Sequence, residues 1–491
     1  MDLFFTLRKY GWEPYGASLR KHGGTVYIMA RKDGRDALLM TGEDDPLFSG
    51  MHWAGGACKI CGLTGANCEA LRERFPFTAP VSLHGKSVTI GLGDRLGLCT
   101  SAHVAALRGT EVFPVLGQQS TRELLLTGRT NRDMMDATAW QVFRSGYEGG
   151  YSVDGDHRKT LAEILEAIRD GVTMITLDCS DHIEATAYGL SSSEAKRRCA
   201  QAFPSELLWL WEEHYCGKTF PIGRAQSTAI RRENFWQMLL TYGGAVLFAE
   251  SIYKEAVLPC GRPISFELSI DETEMHTEDY AHYFIAAELC RLGVTADSIA
   301  PRFCGEFQKG IDYIGDLEQF REQFRSHVAI ADHFGHRISV HSGSDKFRVF
   351  PCIGKESGKR FHIKTSGTSW VEAVRVIANC DPDLFRRMVE YACEHLEEAR
   401  QYYHIDAKAS NVPTLEAVPD QTLPRLMDDT DIRQIMHITY GALLQAKTTK
   451  GTPLFRDSIY RVLQEHREKF YDTIRCHIRR HLLSLGVARQ E

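Results

Sequence analysis

The sequence lacks every feature that would put it in a membrane or on nucleic acid. No stretch approaches the ~18 consecutive apolar residues of a transmembrane helix, and the richest run, Gly244-Ala-Val-Leu-Phe-Ala-Glu250, is too short. A surplus of either charge is also missing: 58 Lys and Arg stand against 64 Asp and Glu, a formal charge of -6. That balance gives no electrostatic reason to expect nucleic acid or an anionic membrane as partner. The start, Met1-Asp-Leu-Phe-Phe-Thr-Leu-Arg8, has no basic n-region, no long apolar h-region and no small-residue cleavage site. It does not read as a signal peptide, so a cytoplasmic protein is expected. Proline is scarce, 16 residues against 41 glycines, which predicts many tight turns around a glycine-rich site. With 43% hydrophobic and 25% charged residues, the 491-residue chain is neither disordered nor a coiled coil.

Several catalytic signatures are absent. There is no GxxxxGK[ST] and no GxSxG, so nucleotide hydrolysis and serine-esterase chemistry lack their parts. Gly91-Leu-Gly-Asp-Arg-Leu-Gly97 is one residue too long for a dinucleotide fingerprint, and no acidic residue follows at a convincing strand end ~20 residues later. A nicotinamide cofactor is therefore not expected. Cysteine is plentiful, with 14 residues spread along the chain. Only Cys58-Lys-Ile-Cys61 and Cys68 cluster, and no second CxxC or HxxxH lies nearby to complete a four-ligand zinc site. Reduced, largely buried thiols are the simpler expectation.

What is present is a rhythm. Residues 1–85 read as a small α/β domain, with strands at Val26–Ala30 and Asp36–Met40 and a glycine-rich loop from Gly50 to Gly65. From Ser87, eight short apolar runs begin near residues 88, 112, 151, 174, 264, 299, 338 and 361. Each ends in a polar, often glycine-bearing segment, and helical patterns recur between them, with a mostly helical insertion at about 184–260 after the fourth. Strand alternating with helix implies parallel pairing, because parallel neighbours need a crossover. Eight units in residues 86–381 fit a closed (β/α)8 TIM-type barrel better than an open doubly wound sheet, because polar residues gather at nearly every strand end. Residues 382–491 read as a helical extension, with helices at about 383–396, 431–446 and 454–484 and Ile474, Ile478 and Leu482 on one stripe.

In a barrel the strand ends converge. Candidate metal ligands are His157, Glu267 and His341, from three different strands, with His182 as the substitute. A mixed His and carboxylate set suits Zn, Mn, Co, Ni or Fe(II). Asp156 is the candidate proton-transfer group on one side of a substrate, with Asp271 or Glu272 as its partner on the other; Glu274 belongs to the same acidic segment. Arg95, Arg122, Lys346 and Lys364 at other strand ends would suit a negatively charged substrate, although Asp94, Glu123 and Asp345 lie beside three of them as ion-pair partners. The glycines after strands (Gly91, Gly93, Gly97, Gly155, Gly343 and Gly367) are expected to let backbone approach a small polar molecule.

A set of short segments, in order, carries a family resemblance. Gly91-Leu-Gly-Asp-Arg-Leu-Gly97, Gln118-Gln-Ser120, Gly128-Arg-Thr130, Asp154-Gly-Asp-His157, Ser180-Asp-His182 and Ser269-Ile-Asp-Glu-Thr273 come first. Lys309-Gly-Ile-Asp-Tyr313, His341-Ser-Gly-Ser-Asp-Lys-Phe347, Lys364-Thr-Ser-Gly-Thr368 and His437-Ile-Thr-Tyr-Gly441 follow. Together they resemble the tagaturonate epimerase family through the barrel and tail, and weakly before about residue 85. The resemblance implies an isomerase that interconverts D-tagaturonate and D-fructuronate in hexuronate breakdown with a divalent metal. It adds Gln118 and Asp345 to the residues expected around a sugar-acid substrate. Some relatives act on neutral tagatose and fructose, and a class II-like aldolase or isomerase on the same barrel is the enzymic alternative. The two keto-uronates differ at C3 with the ketone at C5, so a retro-aldol break of C3–C4 with a metal-stabilised enediolate is the expected chemistry. The sequence sets no oligomeric state.

Overall fold

The computed structural model describes residues 3–53, 58–223, 226–273 and 275–490. At its centre is a closed parallel barrel of eight strands. We number them β1 (Val88–Leu92), β2 (Phe113–Ser120), β3 (Ser152–Arg158), β4 (Met174–Asp178), β5 (Ser265–Ser269), β6 (Ser298–Ala300), β7 (Arg337–Val340) and β8 (Phe361–Thr365). Neighbours in the chain are neighbours in the barrel, and β8 closes on β1. The strands are nearly all buried, as expected where helices cover one face and packed side chains the other. Local signals mark the helix ends. Thr130 and Thr160 close capping boxes with Asp133 and Glu163, and Gly146 and Gly171 end the same two helices in the left-handed conformation.

The insertion between β4 and β5 is helical, as read from the sequence, except for one hairpin. Lys218–Ile222 pairs antiparallel with Gln226–Ile230, two short segments carrying the strand-favouring Thr219, Phe220, Ile222, Thr228 and Ile230. The 21-residue helix Arg232–Ile252 then leads back to the barrel.

Residues 13–61 form a six-stranded, largely antiparallel sheet. Its main hairpin joins Thr25–Lys32 to Arg35–Gly42 through Asp33 and Gly34, both at positive φ, as an Asp-Gly turn requires. The Gly50–Gly65 stretch is not simply a loop. Met51–Trp53 and Cys58–Cys61 pair as strands and extend this sheet, and residues 54–57 lie outside the described residues. Cys58 and Cys61 are three apart on a strand, so they face opposite sides. Cys58 packs with Leu7 and Ile28, Cys61 with Tyr27 and Phe48. They cannot share a metal, and none of the fourteen cysteines is in a disulfide.

The tail is helical but more broken than its pattern implied. The 431–446 segment divides into Thr430–Ile438 and Tyr440–Gln445, and the 454–484 segment into Arg456–Glu465 and Arg467–Ser484. Ile474, Ile478 and Leu482 are all buried in one apolar core that runs without interruption from barrel to tail. Among the described residues, no helix is long and apolar enough to cross a membrane.

Candidate active site

The C-terminal mouth of the barrel holds a polar cavity. Gln118 and Ser120 reach it from β2, Arg122 and Glu123 from the helix Thr121–Thr127, and Asp156 and His157 from β3. Glu272 enters from the loop after β5, Lys309 from the loop after β6, His341 and Ser342 from the end of β7, Lys364 and Ser366 from β8, and Tyr403 from the tail. Asp156 and His157 are adjacent, and on a regular strand adjacent side chains point apart. Here β3 is irregular. Its pairing with β4 shifts between Ile175–Gly155 and Leu177–Arg158, and His157 has φ of 48°. The bulge turns both side chains to the same cavity.

Beneath the cavity lies a layer set by strand register. Thr176, Glu267 and Ser298 are level on β4, β5 and β6. Ser298 Oγ donates to Glu267 Oε2 at 2.5 Å and Thr176 Oγ1 to Oε1 at 3.3 Å. Lys364 Nζ sits over this layer, 2.9 Å from Asp154 Oδ2, 2.6 Å from Asp156 Oδ1 and 3.0 Å from Glu267 Oε1, and it also bonds Thr176. His341 stands between two carboxylates, with Nε2 2.8 Å from Glu267 Oε1 and Nδ1 3.0 Å from Asp271 Oδ1. Ser269 Oγ donates to the same Asp271 oxygen at 2.7 Å. The His157 and His341 rings are 5.0 Å apart.

The electrostatics follow from this crowding. Burial opposes charge on Lys364, but Asp154, Asp156 and Glu267 hold its ammonium far above the usual range. Of the aspartate pair, burial pushes Asp154 up to about 6. Burial acts on Asp156 as well, but Lys364 and His157 outweigh it and hold that carboxyl well below the usual range. Burial would likewise lower His341, yet the Asp271 carboxylate, with the Glu267 hydrogen bond, raises it to about 10. His157 is raised as well, against burial, by Asp156 and by its contact with Asp178.

The structure brings together some of the residues chosen from sequence and separates others. Asp156, Glu272, Gln118, Arg122, Lys364, His157 and His341 all line the cavity. Glu267 is its buried floor. Asp271 stands behind His341 and lines an adjoining recess with Arg302 and His404. Glu274 lies outside the described residues. Gln118 Oε1 is buried without a hydrogen-bond partner, tucked against Gly91.

Arg95 is not at the cavity. Its Nε and Nη2 are 2.9 and 2.6 Å from Glu123 Oε1, Nη1 donates to the His437 carbonyl, and its plane lies 3.7 Å from the centre of the Tyr440 ring. Lys346 is fully buried and donates to the carbonyls of Gln308, Ile311 and Ser344, so no N–H is left for a substrate. Asp345 is engaged with Arg433 and His477, away from the cavity. His182 is exposed and stacks on Phe248, apart from the other histidines.

The glycines also act differently from the expectation. A Cβ on Gly91 would lie 1.9 Å from Gln118 Oε1, and one on Gly367 2.0 Å from His437 Nε2. They make room for protein side chains around the cavity.

Lys309 and Tyr403 received no role from the sequence. Lys309 Nζ donates to Ser342 Oγ at 2.7 Å, and burial lowers its ammonium from the usual range. Its Lys-Gly pair within a resembling segment was the available signal. Tyr403 had none, because only the tertiary fold carries it to the mouth.

With this geometry in place, the comparisons with known proteins are decisive. The sequence profile of tagaturonate epimerase matches residues 15–485. The chain belongs to the tagaturonate epimerase family. It is 37% identical over 478 residues to the tagaturonate/fructuronate epimerase of Thermotoga maritima, covering 96% of both chains. The native crystal structure of the fructuronate-tagaturonate epimerase UxaE of Cohnella laeviribosi matches with a TM-score of 0.95 at 42% identity, over 99% of this chain and 98% of that one. A one-glycerol complex of the same protein gives the same values. The family member described here is thus an isomerase of the epimerase kind on a (β/α)8 barrel.

The donor types at the mouth, two imidazoles and several carboxylates, are those a divalent ion takes. His157 Nδ1 is 3.6 Å from Asp178 Oδ2 and 3.9 Å from Glu272 Oε1, and Nε2 is 3.8 Å from Asp156 Oδ1. These gaps are too long for hydrogen bonds and a few tenths of an ångström beyond the roughly 3–3.5 Å that separates two ligands of one ion. With Asp154, Asp178, Glu267 and Asp271 beneath and beside the cavity added to Asp156 and Glu272, carboxylates outnumber the cations Lys364, Lys309 and Arg122, and both imidazoles are drawn toward protonation. A bound cation would meet that excess of negative charge instead.

Proposed function

We propose that this family member interconverts D-tagaturonate and D-fructuronate by inverting C3, using a divalent cation held by His157, Glu267 and His341, as a step of hexuronate breakdown. One observation carries the reading: Asp156 and Glu272 line the same cavity as Arg122, Lys309 and the His157–His341 pair. The two cations suit a substrate carboxylate, which favours the sugar acid over a neutral ketohexose. When bound, the divalent ion supplies Lewis-acid polarisation of the C5 ketone.

The rest is assigned to side chains. Asp156, kept ionised by Lys364, accepts the proton of the C3 hydroxyl. The C3–C4 bond breaks, C3 becomes an aldehyde, and the bonding pair moves to C4 and onto the C5 oxygen. After the aldehyde turns over, the pair attacks its other face and C3 closes inverted. Glu272 returns a proton to the C3 oxygen; its carboxylate is 52% exposed and exchanges with water. Asp271 at Nδ1 fixes the orientation of His341 and leaves Nε2, beside Glu267 Oε1, for the ion. Gln118 and Ser120 line the cavity as further polar contacts for the substrate hydroxyls.

The test is turnover of tagaturonate before and after chelation. Activity should vanish with a chelator and return with an added divalent ion. Full turnover in a metal-free sample would overturn the metal role. Trapped three-carbon fragments would support bond cleavage, and an intact C3 ketone would overturn it. A higher kcat/KM on tagatose than on tagaturonate would remove the sugar acid as substrate.

A further inference from the structure

Away from the cavity, the loop after β7 meets the C-terminal helix Arg467–Ser484 in a second cluster of histidine and carboxylate groups. His477 and His481 are one turn apart on that helix, and both present Nε2 to one oxygen of Asp345, at 2.6 and 3.4 Å from Oδ1. We propose that Asp345, His477 and His481 form a second divalent-cation site, of the zinc class, that pins the tail helix to the barrel.

The surrounding bonds are those of a metal site. His481 Nδ1 is 2.9 Å from the His477 carbonyl, so it donates there and the lone pair is on Nε2. His477 Nδ1 faces Glu372 Oε1 at 3.5 Å, an oxygen that has no hydrogen-bond partner of its own and could take the Nδ1 proton once Nε2 binds an ion. Arg433 donates to Asp345 Oδ2 at 2.8 Å and leaves Oδ1 for the ion. The three ligand atoms all lie within 4.8 Å of one another; the 3.4 Å separation falls in the roughly 3–3.5 Å of two ligands on one zinc ion, and the 2.6 Å one would open slightly on binding. One contact competes: the Asp345 backbone N–H donates to His481 Nε2 at 3.1 Å, and cation entry would exchange it. Asp345 and Glu372 are met by Arg433, and Arg375 Nε holds Glu372 Oε2 at 2.9 Å, so the carboxylates are charge-balanced and the two imidazole nitrogens with Asp345 Oδ1 would carry the binding. Asp345 is also a non-glycine residue at φ of 60°, a conformation retained only where the surroundings fix it. His477 is 13% exposed and gives an entry path; His481 is fully buried.

The protein is stripped with a chelator, loaded with zinc(II) alone, desalted, and its zinc counted per chain. The His477→Gln/His481→Gln variant should hold one equivalent fewer than wild type. The His341→Ala variant, altered only at the barrel mouth, should keep the tail equivalent and gain thermal stability on adding zinc. An equal zinc count in wild type and the double variant, both folded by circular dichroism, would overturn the site. If the double variant does not fold, cobalt(II) added to His341→Ala decides. Ligand-field absorption supports the site and its absence overturns it. Because His341→Ala isolates the tail, failure here is distinct from failure of the barrel reading.

Discussion

The barrel mouth and the tail cluster are built from the same residue types and have opposite characters. At the mouth, Lys364 is shared among Asp154, Asp156 and Glu267, and the carboxylates open onto a cavity. In the tail, Arg433 is shared between Asp345 and Glu372, and the imidazoles fill the space between the carboxylates, with only His477 partly exposed. The strained residues differ in the same way. His157 at positive φ turns a side chain toward the cavity, while Asp345 at positive φ turns one toward another part of the chain. A His and carboxylate constellation is therefore not diagnostic of catalysis by itself. What separates the two is the cavity: Asp156, His157, Glu272, Lys309 and Arg122 border open space at the mouth, and the tail groups face one another.

The largest expected difference is in rate. Asp156→Asn keeps the shape of the mouth and removes its base, so kcat/KM on tagaturonate should fall by ~10³ or more. Steady-state kinetics checks this, and a loss below tenfold would remove Asp156 from the reaction. The next is in stability, where the two regions should behave alike. Lys364→Met leaves three buried carboxylates without their ammonium, and Arg433→Met leaves Asp345 without its guanidinium while Arg375 still holds Glu372. Breaking a buried pair from one side costs about 3–5 kcal/mol. Urea unfolding should show that loss for each, with Lys364→Met the more severe. Little change at Arg433 would mean that the tail cluster is not under electrostatic load.

The barrel was legible because its strands are buried on both faces. Each therefore reads as a short apolar run that stops where polar residues meet the mouth. Asp156 and His157 were legible for the same reason, as polar residues at such a stop. Lys346 looked identical in sequence and is not in the site, because its partners are backbone carbonyls, two of them in the loop at Gln308–Ile311. Backbone acceptors have no sequence signature. Arg95 has Asp94 beside it but pairs with Glu123, 28 positions on, since helix Thr121–Thr127 brings that carboxylate under the mouth. The hairpin at 218–230 was hidden inside a stretch dominated by helical spacing. Tyr403 reaches the cavity only through the path of the tail.

A third buried cluster, made of histidines without carboxylates, sharpens the comparison with the smallest effect. His327 Nε2 faces the Thr277 carbonyl at 3.1 Å and must donate to it. Its Nδ1 then accepts from His282 Nδ1, and His282 Nε2 accepts from His336 Nε2, each at 3.0 Å. The three rings are thus neutral and fixed in tautomer. Burial lowers all three, His327 to about 4 and His336 to about 3, the reverse of His341 among its carboxylates. A base depressed in the folded state stabilises it above the unfolded value near 6.5, and that contribution is lost as pH falls toward the folded value. Between pH 7 and pH 5 each imidazole should cost about 2 kcal/mol, because only the unfolded chain takes up its proton. His336→Leu removes one such group. The stability difference between pH 7 and pH 5, measured by urea unfolding, should shrink by about 2 kcal/mol relative to wild type. An unchanged difference would mean that His336 is already protonated in the folded protein, which would require the donor direction of the whole file to be reassigned.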